Sequence, residues 1–190
     1  MRILHSERLV LEPQVAAHAA EMFVVLSDPA IYEFENEPPA SLEWLRARFE
    51  RLESRASGDG SERWLNWVIR VAGGELIGYV QASVPAIGGA FIAYELTSTH
   101  WGHGYGREAV GAMLVELAAG YDVRQVGAVF KRPNHRSRKL LTRLGFVMPT
   151  TADCEHYQPD DDEDLLVLAL GSGLRPAAGR PAPAPASDPR

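Results

Sequence analysis

Between residues 100 and 107 the chain reads His-Trp-Gly-His-Gly-Tyr-Gly-Arg, a glycine at every second position between segments of opposite periodicity. Upstream, Phe91-Ile92-Ala93-Tyr94-Glu95-Leu96 is short and rich in β-formers, with Gly88-Gly89 behind it, which predicts a strand. From Glu108 onward, Ala109, Val110, Met113, Leu114, Leu117 and Ala118 fall on one stripe, which predicts a helix. A strand, a glycine loop and a helix in direct succession read either as a plain glycine-rich turn or as a loop that holds a ligand. Glycines let the backbone turn tightly and approach a bound group closely. The first amides of the helix lack intrahelical partners, and the helix dipole adds partial positive charge there. Such a row of N–H groups suits a phosphate or pyrophosphate, with Arg107 adding a full charge beside it.

Two phosphate-binding patterns do not fit. In a dinucleotide fingerprint the third glycine stands three places after the second, whereas Gly106 follows Gly104 by two, and no acidic ribose partner ends a second strand. The Gly-Lys-Ser/Thr of nucleotide hydrolases is absent. A second signature lies downstream: Asn134-His135-Arg136-Ser137 opens a short helix that ends at Gly145-Phe146. Together the two motifs, a G-x-G-x-G loop opening a helix and then N-x-x-S-x(7)-G-F, resemble the GCN5-related N-acetyltransferase superfamily. The W-G-x-G-Y-G-x-E-A wording is most similar to its branch that acetylates ribosomal-protein N-termini.

With 190 residues, 46% of them hydrophobic, one domain with a real core is expected over residues 1–170. The Pro/Ala-rich residues 171–190 read as a solvated tail. A net charge of −6 argues against nucleic acid as a partner. The single cysteine, Cys154, fits a reducing cytoplasm, and no long apolar run predicts a membrane span or signal peptide. The sequence leaves open the oligomeric state, a homodimer included.

In order, Arg8–Glu12 predicts a strand stopped by Pro13, and Val15–Leu26 a helix. Ser41 caps a further helix with Leu42, Leu45, Phe49 and Leu52 inward. Residues 64–71, 75–84 and 91–96 form an antiparallel meander; 125–130, 146–148 and 164–170 complete the strands. The strand–helix–strand order makes the 125–130 strand parallel to the one holding Glu95. The fold class is α+β: a mixed, mostly antiparallel sheet with helices on both faces. The resemblance adds a central splayed parallel pair into which acetyl-CoA enters.

The resemblance also assigns roles. Gly102, His103, Gly104, Tyr105, Gly106 and Arg107 would hold the pyrophosphate of acetyl-CoA, with Asn134 and Ser137 near its thiol end. Leu96, Thr97 and Ser98 would offer a backbone N–H to the developing oxyanion. Lys131, Arg132, Arg136, Arg138 and Lys139 could neutralise the 3′-phosphate, or simply form a solvated helix face. Asn134 equally serves as a plain helix cap. Glu95, at the end of a central strand, is the candidate base, with orientation of the substrate ammonium as its alternative role. The tyrosine that many family members carry before the Gly-Phe is replaced by Leu141, which leaves Ser137, Tyr94 or solvent to serve the departing thiolate. For the acceptor amine, Tyr32, Glu33, Phe34 and Glu35 are the candidate contacts, with Glu37 and Trp44 nearby. The acidic run 160–164 is a second option but reads better as solvent-facing. No metal is expected. The reading is an acetyl-CoA-dependent N-acetyltransferase acting on a primary amine by direct attack; the alternative is a non-catalytic acyl-CoA-binding module of the same fold.

Overall fold

The computed structural model describes residues 1–34 and 36–171. Seven strands follow chain order across one sheet: β1 (Leu4–His5), β2 (Leu9–Pro13), β3 (Glu62–Val71), β4 (Leu76–Pro85), β5 (Ala90–Leu96), β6 (Gln125–Lys131) and β7 (Glu163–Ala169). Every neighbouring pair is antiparallel except β5–β6. Parallel strands need a crossover, and a helix at Tyr105–Gly120 supplies it. The expected α+β mixed sheet is what the chain forms.

The parallel pair meets only at its start, at Ala90–Val126 and Phe91–Gly127. Beyond that point β5 stays paired with β4 as far as Leu96, and β6 stays paired with β7 as far as Lys131. Each strand follows its outer neighbour, so the two diverge and open a wedge in the middle of the sheet.

Side chains alternate across this sheet, and paired residues share a face. Trp67, Val80, Ile92, Leu96, Val126 and Leu166 point to one face, where α3 (Tyr105–Gly120) and α4 (His135–Arg143) cover them. Val68 and Tyr79 point to the other, under α1 (Ala19–Val25) and α2 (Leu42–Leu52). On that second face, Leu165 and Val167 lie under α5 (Thr151–Tyr157). Between α2 and α5 the sheet surface around Ala93 and Glu95 is left accessible.

Several boundaries differ from expectation for identifiable reasons. Pro13 lies inside β2, not beyond it; β1 pairs only with Val10 and Leu11, so β2 is an edge at Pro13 and no sheet donor is missed. The segment expected as one helix from Val15 starts as a 3-10 turn at Ala16–His18 before α1. The strand expected at 146–148 reduces to one bridge, Val147–Val167, with Val147 and Met148 exposed. The sequence reading missed α5, although its capping box, Thr150 with Asp153, was legible. Of the residues read as a tail, 172–190 lie outside the described ones, as does Glu35.

Candidate functional site

A cavity of about 1030 Å³ runs from the start of α3, through the wedge between β5 and β6, to the sheet surface beside α2. Its volume matches a ligand of drug size or larger.

At the first end, Gly102 and Gly104 have φ of +80° and +84°, a left-handed backbone that favours glycine. Gly104 is the N-cap of α3, so the helix begins at Tyr105, four residues before Ala109, where the apolar stripe that revealed it starts. Gly102, His103, Gly104, Tyr105, Gly106 and Arg107 all line the cavity. Gly106 also matters for packing, because a Cβ there would stand 2.8 Å from Leu140 Cδ1; its absence lets α4 pack against α3. Arg8 braces the loop from outside. Its guanidinium donates to the His103 carbonyl at 3.0 Å, stacks on Tyr105 at 4.5 Å and pairs with Glu108 at 2.6 Å. Arg107, Lys139 and Arg143 line this end, and among the described residues none of them makes an ion pair. An N-terminal amide row, two left-handed glycines and three uncommitted cations fit a diphosphate carried on a long tail.

The basic stretch after β6 behaves differently. Lys131 pairs with Asp162 and Glu163, Arg132 and Arg138 with Asp164, and Arg136 with Glu33. The acidic run therefore neutralises its basic neighbours and does not line the cavity. Of the expected cluster, Arg136 and Lys139 face the cleft.

In the wedge, Tyr94 and Ser137 meet, with 2.7 Å between their hydroxyl oxygens. Burial pushes the Tyr94 phenol up to about 12, only partly opposed by the Ser137 hydrogen bond, so it stays protonated at neutral pH. Asn134 Oδ1 accepts from the Ser137 amide at 3.0 Å and also lines the cavity, so it caps α4 and faces the cleft at once. Leu141 is fully buried in the core, which is why no hydroxyl could stand at that position without a partner.

Glu95 lies on the opposite face of the sheet from Tyr94, also in the cavity wall. Its cross-strand partner is Tyr79, whose hydroxyl interacts with the Glu95 carboxylate. Burial, then the charge of Glu95, push the Tyr79 phenol upward. The same two causes, in the same order, take Tyr32 up to about 12. Tyr32 donates to the Leu26 carbonyl at 2.7 Å, which fixes its ring at the wall.

Thr97 and Ser98 need correcting. Neither lines the cavity, and their amides are engaged, Thr97 N–H to the Ile77 carbonyl at 2.9 Å and Ser98 N–H to Asp28 Oδ2 at 2.6 Å. Asp28 is the reason. Burial pushes its carboxyl up, but donors from Ser98, Ala30 and Thr97 outweigh that and hold it at about 2. Leu96 does reach the cavity, while its carbonyl accepts from Trp101 Nε1 at 2.8 Å. Of the expected acceptor contacts, Tyr32 and Phe34 line the cleft. Glu33 does not; it pairs at 2.6 Å with Arg136, whose guanidinium lies 4.1 Å from the Trp101 ring and 5.5 Å from Phe34. Its charge is thus not available to attract a cation. Glu37 and the half-exposed Trp44 do face the cleft.

Sequence reasoning missed Gln14, Arg48, Asn66, Tyr79, Gln81 and Arg143, all in the cavity wall. Asn66, Tyr79 and Gln81 share the Glu95 face through cross-strand pairing, a signal that needs the register before it can be read.

Residues 8–147 match the family model described as an acetyltransferase (GNAT) domain. An uncharacterized N-acetyltransferase of Bacillus subtilis, YoaA, is 26% identical over 174 residues, covering 88% of this chain and 96% of that protein. Among solved structures, RimL, a ribosomal L7/L12 alpha-N-protein acetyltransferase in complex with coenzyme A, superposes with a TM-score of 0.72 at 17% identity, covering 90% of this chain and 99% of that one. The ribosomal-protein-S5-alanine acetyltransferase of Vibrio fischeri also gives 0.72 at 17% identity, covering 93% and 100%. At these identities the structural likenesses speak for the fold.

Proposed function

The chain belongs to the acetyltransferase (GNAT) domain family and is an acetyl-CoA-dependent acetyltransferase; from that premise we propose that it acetylates a primary amine, a peptide N-terminus or a small-molecule amine, by direct attack. Acetyl-CoA, when bound, supplies the activated acetyl group and a thiolate that leaves. The amides of residues 102–107, with Arg107, Lys139 and Arg143, hold its diphosphate. The wedge-side edge of β5, freed from β6 beyond Phe91, offers backbone groups to the tail. With the Thr97 and Ser98 amides engaged, the acyl oxygen is left to N–H groups on that same edge.

Glu95 takes a proton from the incoming ammonium, directly or through one water. An N-terminal amine titrates near 8, so little base strength is required. The Tyr79 hydroxyl holds the carboxylate against the cleft wall, with the Tyr32 ring nearby. On the other face, the Tyr94–Ser137 pair donates a hydrogen bond to the departing sulfur. Full proton delivery is not demanded: a thiol titrates near 8.5 and leaves readily as thiolate, whereas Tyr94 stands near 12. Solvent can supply the final proton.

One observation carries this reading: Glu95 and the Tyr94–Ser137 pair flank the wedge from opposite faces of the sheet. The test is free-thiol release from acetyl-CoA with a panel of peptide and small-molecule amines. Amine-dependent thiol release is expected. CoA binding with no acetylation of any amine would instead favour a non-catalytic acyl-CoA-binding module.

A further inference from the structure

A second cavity, of about 420 Å³, opens beside the acceptor end of the cleft and shares Arg48, Asn66 and Gln81 with it. Arg51 and Arg48, one turn apart on α2, form its wall; Asn66, Gln81 and Ser83 lie on its sheet side with Trp64. No carboxylate lines it, and among the described residues neither arginine makes an ion pair. The nearest acid in sequence to its floor, Glu62, accepts from Trp64 Nε1 at 3.1 Å. Gln14, beside Asn66, lines the main cleft and not this second cavity. It donates its backbone amide to the Asn66 carbonyl at 2.9 Å and is 4% exposed, yet its Nε2 finds no acceptor among the described residues. Two arginines without an ion-pair partner among the described residues, Arg48 also lying 5.7 Å from the Trp44 ring, favour an oxygen-bearing anion in this cavity.

Spacing sets where that anion sits relative to the amine. Tyr79, Gln81 and Ser83 are alternate residues on one face of β4, and Tyr79 is paired with Glu95. At a strand rise of ~3.3 Å per residue, the Gln81 and Ser83 positions lie ~7 and ~13 Å along the sheet from the Glu95 row. We propose that the acceptor is an amine carrying a carboxylate at this distance, held by Arg48 and Arg51 while its nitrogen lies at Glu95. The inference rests on the acetyltransferase reading above. In an extended peptide, which advances by a similar ~3.3 Å per residue, the carboxylate belongs to an acidic side chain in the second to fourth position. A free α-amino acid is too short to span both places. A small ω-amino acid of suitable chain length shares the chemistry.

The experiment compares acceptors that differ only in this charge. One pair is Ser-Ala-Glu-Ala-amide against Ser-Ala-Gln-Ala-amide; the other is 8-aminooctanoate against 8-aminooctanamide. The acidic member of at least one pair is expected to win by about 10-fold or more in kcat/KM at low salt, as a charge-assisted hydrogen-bond pair allows. The winning pair tells a peptide from a small molecule. Raising salt should narrow the ratio, because screening shortens to ~3 Å at 1 M. Arg48→Gln and Arg51→Gln should each bring the ratio towards one. Arg46→Gln, on the same helix but lining neither cavity, should leave it intact. Calorimetric binding of the acidic peptide without acetyl-CoA gives a readout independent of turnover. Equal use of acidic and amide acceptors, or a preference that survives both arginine substitutions, overturns the inference while the acetyltransferase reading stands. Arginine-dependent binding of the acidic peptide without acetylation of any amine leaves the subsite in place and removes the acetyltransferase reading.

Discussion

Replacing Tyr94 with Phe removes one oxygen from the middle of the wedge and little else. The lost hydroxyl lies 2.7 Å from Ser137 Oγ, so the cost to folding is one partly buried hydrogen bond, about 1 kcal/mol. The cost to turnover follows from what the hydroxyl can do. A phenol held at about 12 is a poor proton donor to a sulfur that titrates near 8.5, so a complete transfer is uphill by several pKa units. A hydrogen bond to developing negative charge is worth about 1.5–3 kcal/mol, which is roughly 10- to 150-fold in rate. Tyr94→Phe should therefore lower kcat by that factor, with KM for acetyl-CoA changed little. Ser137→Ala should cost a similar factor, and the double variant should be no slower than the slower single one, because the two hydroxyls act as a unit. The assay is thiol release with saturating acetyl-CoA and the best acceptor amine, alongside thermal unfolding of each variant. Wild-type kcat in Tyr94→Phe, or losses that multiply in the double variant, would refute a joint role.

Three further perturbations test other parts of the cleft. Glu95→Gln should reduce kcat by about 100-fold or more, the usual range for a positioned base, while CoA affinity by calorimetry stays near wild type; unchanged turnover across pH 6–9 would remove Glu95 as the base. Gly104→Val forces a β-branched residue to φ +84°, costing about 1–3 kcal/mol, and should abolish CoA binding in a protein that still folds; normal affinity would mean that the loop does not hold the diphosphate. Asp28, held at about 2 by its donors, stabilises the fold above the ordinary carboxylate value near 3.8 and loses that contribution as pH falls towards 2. Wild type should thus lose about 1 kcal/mol more than Asp28→Asn between pH 5 and 2, after allowance for partial solvent exposure; parallel acid-unfolding curves would show that Asp28 is not held this way.

What could be read from the chain, and what could not, divides along physical lines. Local signals survived. The glycine spacing at 102–106, the Asn134 cap and the change of period on either side of the loop all describe conformations set within a few residues. Their combination also gave the parallel crossover, because a strand–helix–strand unit has few other closures. Partnerships between distant residues were not legible. Whether Arg136 would meet a phosphate or Glu33, and whether the Ser98 amide would meet an acyl oxygen or Asp28, depends on side chains separated by about 70 to 100 positions. The acceptor wall was missed for the same reason. Asn66, Gln81 and Gln14 are ordinary polar residues in their own segments and become a polar patch only once β3, β4 and β2 are in register. Tyr94 stood among the sequence candidates for the thiolate, and only the packing of α4 showed that Ser137 is its partner.

The most direct measurement is a crystal structure of the protein with coenzyme A. The diphosphate oxygens should lie within about 2.7–3.2 Å of amides between Gly102 and Arg107, the tail should pass between β5 and β6, and the sulfur should end between Glu95 and the Tyr94–Ser137 pair. A diphosphate on the Lys131–Arg132 surface, or a tail that avoids the wedge, would contradict the account.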